Sequence, residues 1–143
     1  MNYSERFSSK FFARLLKPEG QNPIRDRATS FEIIFELLDQ KQKKDNYLIV
    51  ETGCMRGDHK PANSPYALGD DGASTYIFDD FINFYDGEVL SVDIKQANVD
   101  YADKYTSDRT SVYCSDSVKF LWDLDERNKI DFLYLDSFDL DPN

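Results

Sequence analysis

The apolar positions of the chain change their period several times, and each change marks an element. Between residues 4 and 17, Phe7, Phe11, Phe12, Leu15 and Leu16 recur at helical spacing. Ser4 stands where it can cap the start, and Pro18-Glu-Gly20 ends the run. The pattern predicts a short amphipathic helix, packed on the domain or on a partner subunit, inside an N-terminal helical extension over residues 1–28. Residues 21–28 read as a loop. A second helix is expected from the capping-box pattern Thr29-x-x-Glu32, in which each side chain satisfies a backbone donor near the other. Phe31, Ile34, Phe35 and Leu38 give that helix its apolar face, and residues 40–45 its solvated end.

From residue 47 the period shortens. Tyr47 to Val50 is apolar throughout, as in a strand buried on both faces. Gly87-Glu-Val-Leu-Ser-Val-Asp93, Thr110-Ser-Val-Tyr-Cys114 and Ile130-Asp-Phe-Leu-Tyr-Leu-Asp136 are three more strand-like runs. Helical patterns over residues 76–85, 96–105 and 118–126 separate them. Strands alternating with helices predict an α/β fold, a doubly wound parallel sheet in a single domain over residues 1–143. Such sheets bind ligands outside the carboxyl ends of their strands. Here those ends carry Glu51, Asp93, Ser115-Asp116-Ser117 and Asp136. Gly53 and Gly57 mark a turn where the backbone bends sharply or lets a ligand approach. An acid closing the second strand, Asp93, can accept both hydroxyls of a ribose.

The run Val50-Glu-Thr-Gly-Cys-Met-Arg-Gly57 resembles the first motif, acid-x-Gly-x-x-x-Gly, of class I S-adenosylmethionine-dependent methyltransferases. Its Glu-Thr-Gly form is similar to a macrocin-type, small-molecule O-methyltransferase branch. The resemblance implies a Rossmann-like sheet of strand order 3-2-1-4, partial because such domains continue beyond a fourth strand. It implies S-adenosylmethionine as cofactor, with Glu51, Thr52, Gly53, Gly57, Ser74, Thr75, Asp93, Ile94, Asp116 and Ser117 as the binding set. The Gly53 turn and Ser74/Thr75 would hold the methionine part, Asp93 the ribose, and Asp116/Ser117 the adenine. Residues 58–72 depart from the usual pattern as a loop of about fifteen residues, a length uncommon without a function. The macrocin-like branch has an insertion here that closes with Gly-x-Ser-Thr, matched by Gly72-Ala-Ser-Thr75. Ser74 or Thr75 is also placed to cap the next helix. Asp136 matches the position at which these enzymes ligate Mg²⁺ and orient the acceptor hydroxyl, with Asp139 as a neighbouring ligand.

Charge narrows the partners. A net charge of -10 leaves little for nucleic acid or an anionic membrane to hold, and favours a small-molecule acceptor. No apolar run approaches the ~20 residues of a membrane span, and no signal peptide is expected behind Glu5. Cys54 and Cys114 read as reduced, buried thiols in or beside strands, which points to the cytoplasm. His59, the only histidine, reads as a solvated loop residue rather than a base. Phe138-Asp-Leu-Asp141 imitates the Asp-x-Asp motif of haloacid-dehalogenase-like phosphatases without opening a fold, and the Gly-x-Gly-x-x-Gly of an NAD site is absent after the first strand. The alternative to a methyltransferase is a non-catalytic or fragmentary nucleotide-binding domain that dimerises through the exposed edge of the fourth strand.

Overall fold

The strand Tyr47–Thr52 (β1) is buried along its whole length and is the axis of the sheet. In the computed structural model, residues 1–15, 27–41, 46–55, 73–125 and 129–136 are described. Gly87–Asp93 (β2) pairs with one side of β1 in register Tyr47↔Gly87 to Thr52↔Val92, and Phe132–Leu135 (β4) with the other. Thr110–Cys114 (β3) pairs with the outer side of β2. The four strands are all parallel, in the order β3-β2-β1-β4. This is an α/β, Rossmann-like partial sheet with an N-terminal helix, the expected fold.

Alternation along β1 sends Tyr47, Ile49 and Glu51 to one face and Leu48, Val50 and Thr52 to the other. The first face carries the main core. Two helices, Arg27–Gln40 (α3) and Ser74–Phe84 (α4), cover it with aromatic rings. Phe81 meets Tyr47 edge-on at 4.9 Å between ring centroids, and Phe78 meets Tyr134 of β4 at 5.4 Å. Gln96–Lys104 (α5) lies against β2 and β3. The return from β3 to β4 runs in the opposite direction, so a right-handed crossover puts Ser117–Asp123 (α6) on the second face. On that side Val50, Thr52 and Val92 are fully buried, while Trp122 of α6 is 86% exposed and Leu135 of β4 66%.

The N-terminal helix starts at Tyr3, one residue before its expected first residue. Tyr3–Phe7 (α1) leads into a π-helical segment, Ser8–Phe12, and then Ala13–Leu15 (α2). Asn2, not Ser4, is the cap: its side chain accepts from Glu5 N at 3.0 Å. The buried residues Tyr3, Phe7, Phe11 and Leu15 recur every fourth position. In a straight α-helix each such step overshoots by about 40°. The wider π segment, with its i→i+5 bonds, takes up that drift and keeps the stripe on one face. Polar ties complete the docking. Asp39 of α3 accepts from Tyr3 N, Ser4 N and the Tyr85 hydroxyl. Asp80 of α4 accepts from the Tyr3 hydroxyl at 2.9 Å, from Nε and Nη2 of the Arg6 guanidinium at 2.9 and 2.8 Å, and from Lys10 at 3.1 Å. Burial alone would push the Asp80 carboxyl up, but these donors hold it below its ordinary value.

Other boundaries also differ from expectation. Helix α3 starts at Arg27, so Thr29 and Glu32 lie inside it and form no capping box. Ala28 is fully buried and carries the stripe Ala28-Phe31-Phe35-Leu38 back by a turn, which outweighs a cap at Thr29. Glu32 instead accepts from Ser8 Oγ at 3.3 Å. Cys114, expected to be buried, is exposed, because β3 is an edge strand whose last residue lies beyond the helices. Cys54 is buried as expected, and both cysteines are free. No helix among the described residues is long and apolar enough to cross a membrane.

Candidate functional site

Because all four strands run the same way, Glu51, Asp93, Asp116 and Asp136 come to one end of the sheet. The strand order reverses between β1 and β4, which is where such sheets open a crevice. Gly53, directly after β1, has φ +83 and donates its N–H to Val92 O at 2.7 Å. This left-handed turn suits glycine and swings the chain away from the strand ends.

Glu51 is fully buried and takes three side-chain hydroxyls. Ser74 Oγ and Thr75 Oγ1 of α4 each donate at 2.5 Å, and Ser91 Oγ of β2 at 2.7 Å. Thr75 Oγ1 also accepts from Met55 N at 2.9 Å, so one chain of bonds ties the glycine turn to α4 and β1. Neither hydroxyl caps α4: the capping position is Ala73, with no side-chain bond to the first turn. That corrects the capping role expected of Ser74 and Thr75. Both hydroxyls point to Glu51 from inside the first turn, and Thr75 Oγ1 spends its acceptor on Met55 N. Ser91 was not foreseen. A serine inside an apolar strand is its only trace in the sequence, and the register Glu51↔Ser91 explains it.

Burial drives the Glu51 carboxyl up to about 7, while the hydroxyls of Ser74, Thr75 and Ser91 oppose the rise and the charge of Asp136 adds to it. The folded chain therefore holds this proton more tightly than the unfolded one. The resulting stabilisation is complete below the ordinary glutamate value and is lost as pH rises through about 7. Between pH 5 and 8, urea denaturation of the wild type is expected to lose on the order of 3 kcal/mol relative to Glu51→Gln, whose amide does not titrate. Parallel pH profiles for the two proteins would contradict the assignment.

Asp93 is half-buried at the end of β2. Its Oδ1 accepts from Lys95 N at 2.9 Å and from Asn98 Nδ2 at 3.3 Å, which folds a tight turn into α5. Ile94 beside it is 72% exposed, an apolar side chain held at the mouth of the crevice. Burial, then the charges of Asp93 and Glu51, push the Cys54 thiol far up, so it is a neutral neighbour and not a nucleophile. Asp116 caps α6 by accepting from Lys119 N at 3.0 Å, and Ser117 opens that helix. Thr52 Oγ1 is buried and is without a hydrogen-bond partner among the described residues. Asp136 donates its N–H to Thr52 O at 2.8 Å and has its carboxylate 3.7 Å from Arg27 Nη1.

Gly57, His59, Asp139 and the loop 58–72 lie outside the described residues. Among the described residues no three His, Cys, Asp or Glu side chains converge on a point that could hold a metal ion. Asp136 faces a guanidinium, and Asp139, its expected neighbour in the Mg²⁺ site that the resemblance implies, lies outside the described residues.

Compared with protein-family models, curated proteins and solved structures, the chain matches none of them.

Proposed function

We propose that this chain binds S-adenosylmethionine at the carboxyl ends of β1, β2 and β3 and transfers its methyl group to a hydroxyl of a small molecule. The observation that carries the reading is the left-handed Gly53 turn at the end of β1, flanked by Asp93 at the end of the neighbouring parallel strand. Three further features support it. Among the described residues the first turn of α4 has no side-chain cap, and its N–H groups suit the carboxylate of the methionine part. Exposed Ile94 offers an apolar surface for a purine beside the ribose position of Asp93. A crevice end carrying Glu51, Asp93, Asp116 and Asp136 suits a cationic sulfonium and hydroxyl donors far better than the pyrophosphate of NAD.

When bound, the cofactor supplies an electrophilic methyl group on positively charged sulfur. Asp93 accepts the ribose hydroxyls, and Asp116 and Ser117 stand at the adenine end. Ser74 and Thr75 act through their backbone N–H groups, since their hydroxyls are committed to Glu51. Asp136 orients the acceptor hydroxyl for in-line attack, and most of the rate comes from that positioning. No step is routed through Mg²⁺. Replacing Asp93 with Ala is expected to weaken binding of S-adenosylhomocysteine at least tenfold, ~1.4 kcal/mol. An unchanged affinity would remove Asp93 from the ribose.

A second reading has its own observation. On β4, an edge of the described sheet, Leu133 is 41% and Leu135 66% exposed. Such an edge pairs readily with another strand. In this reading the chain is a non-catalytic domain that dimerises edge to edge with a second copy. Sedimentation of the wild type against Leu135→Lys separates the two: a dimer lost in the variant, with no ligand bound by either, supports the second reading.

A further inference from the structure

Glu51 has an unusual set of partners for a buried carboxyl. Its three hydrogen-bond partners are neutral hydroxyls, Ser74 and Thr75 from α4 and Ser91 from β2, and no cation bonds to it among the described residues. A buried carboxylate without a positive partner is costly, and the group escapes that cost by holding a proton. Among the described residues, the charged and titratable groups that face it are acidic or neutral. Asp136 and Tyr134 lie on the β4 side, and Cys54 sits in the turn with Asp93 beyond it. Arg27 of α3 is spent on Asp136. From α4 and β2 only the hydroxyls reach it. A positive charge brought to the end of β1 would favour the ionised form, in the same direction as the three hydroxyls.

The ionised form is also the better-ordered one. As a carboxylate, Glu51 accepts from all three hydroxyls at once, and Thr75 keeps its second role as acceptor for Met55 N. Protonated, it must donate its own O–H to one of them, which then turns its hydrogen elsewhere. Loss of the proton therefore tightens the Gly53 turn and the start of α4, the two elements assigned to the methionine part of the ligand.

Resting on the methyltransferase reading, we propose that Glu51 makes the site sense the positive charge of its ligand: a bound sulfonium draws the proton from Glu51 into solvent, so that S-adenosylmethionine is favoured over its uncharged product near neutral pH. The proton passes to buffer and no covalent bond changes in the protein. Glu51 acts here as a positioning residue, through the turn and the helix start, and not by touching the reacting atoms.

Calorimetric titration of the full chain in two buffers of different ionisation enthalpy at pH 7 reads the protons released. S-adenosylmethionine and S-adenosylhomocysteine share every group except the charged methyl sulfonium. The wild type is expected to release up to about half a proton more with the first ligand than with the second. The preference for S-adenosylmethionine should decrease as pH falls from 8 to 6. In Glu51→Gln both differences should vanish; if that variant does not fold, the two-ligand comparison in the wild type still decides. Equal proton release for the two ligands overturns this inference and leaves the methyltransferase reading standing. Failure of both ligands to bind overturns both.

Discussion

Gly87→Ala is expected to destabilise the protein by more than about 3 kcal/mol, a large fraction of the stability of a small domain. Gly87 has φ +136, a conformation that side-chain-bearing residues rarely adopt. An added Cβ would stand 2.0 Å from Tyr47 O and 2.6 Å from Tyr47 N. Both are backbone atoms of the central strand and cannot swing aside as a flexible side chain would. Relief would require β1 and β2 to separate at Tyr47↔Gly87, the first pair of their register. Tyr47 N also donates to Asp86 O at 3.1 Å, so the same shift breaks that bond. Urea denaturation followed by far-ultraviolet circular dichroism measures the effect. A midpoint within experimental error of the wild type would show that the strand pairing is looser than its register implies.

Phe35→Ala is the next largest, with an expected loss of about 3–5 kcal/mol. Phe35 is fully buried at the meeting of three helices. Its ring lies 4.6 Å from Tyr3 and 5.1 Å from Phe7 on the N-terminal helix, and 5.5 Å from Phe81 on α4, where the rings stack. Truncation leaves a cavity bounded by rings that cannot collapse into it without losing their own contacts. The effect should also be regional. Phe35 is the ring shared by Tyr3 and Phe7 of the N-terminal helix, so the amides of that helix should exchange faster than those of β1 in the variant. A uniform loss of protection over the whole chain would mean that the helix and sheet unfold as one unit.

The order and direction of the strands were more legible in the sequence than the starts of α1, α3 and α4. For β2 and β3 the strand-like runs gave the observed bounds, Gly87–Asp93 and Thr110–Cys114, because glycine, aspartate and polar turns mark their ends. Helix α5 starts at Gln96 as expected, but the starts of α1 and α4 were set by remote residues. Asp39, thirty-six positions away, takes the N–H of Tyr3, and Glu51 takes the hydroxyls that would otherwise cap α4. Neither influence has a local signature. The exposure of Cys114 depended on β3 being an edge strand, a property of topology rather than of its five residues.

The candidate site divides in the same way. Glu51, Gly53, Asp93 and Asp116 were readable because each closes a strand or opens a helix, and strand ends are where parallel sheets bind ligands. The network beneath them was not. Ser91 meets Glu51 only through the register of β1 and β2, and the commitment of Ser74 and Thr75 to Glu51 needs α4 to pack where it does. Asp79 is similar: buried, it accepts from Thr110 Oγ1 at 2.6 Å and Ser107 Oγ at 2.8 Å and fixes α4 to the start of β3. In the sequence it looks like a solvated helix acid.

The measurement that bears most directly on the central claim is calorimetric titration of the full chain with S-adenosylhomocysteine, with NAD as a parallel titrant. Micromolar binding of the first and none of the second is the predicted result, since the acidic strand ends accept a nucleoside and repel a pyrophosphate. Tighter binding of NAD, or no binding of S-adenosylhomocysteine by the folded protein, would contradict it.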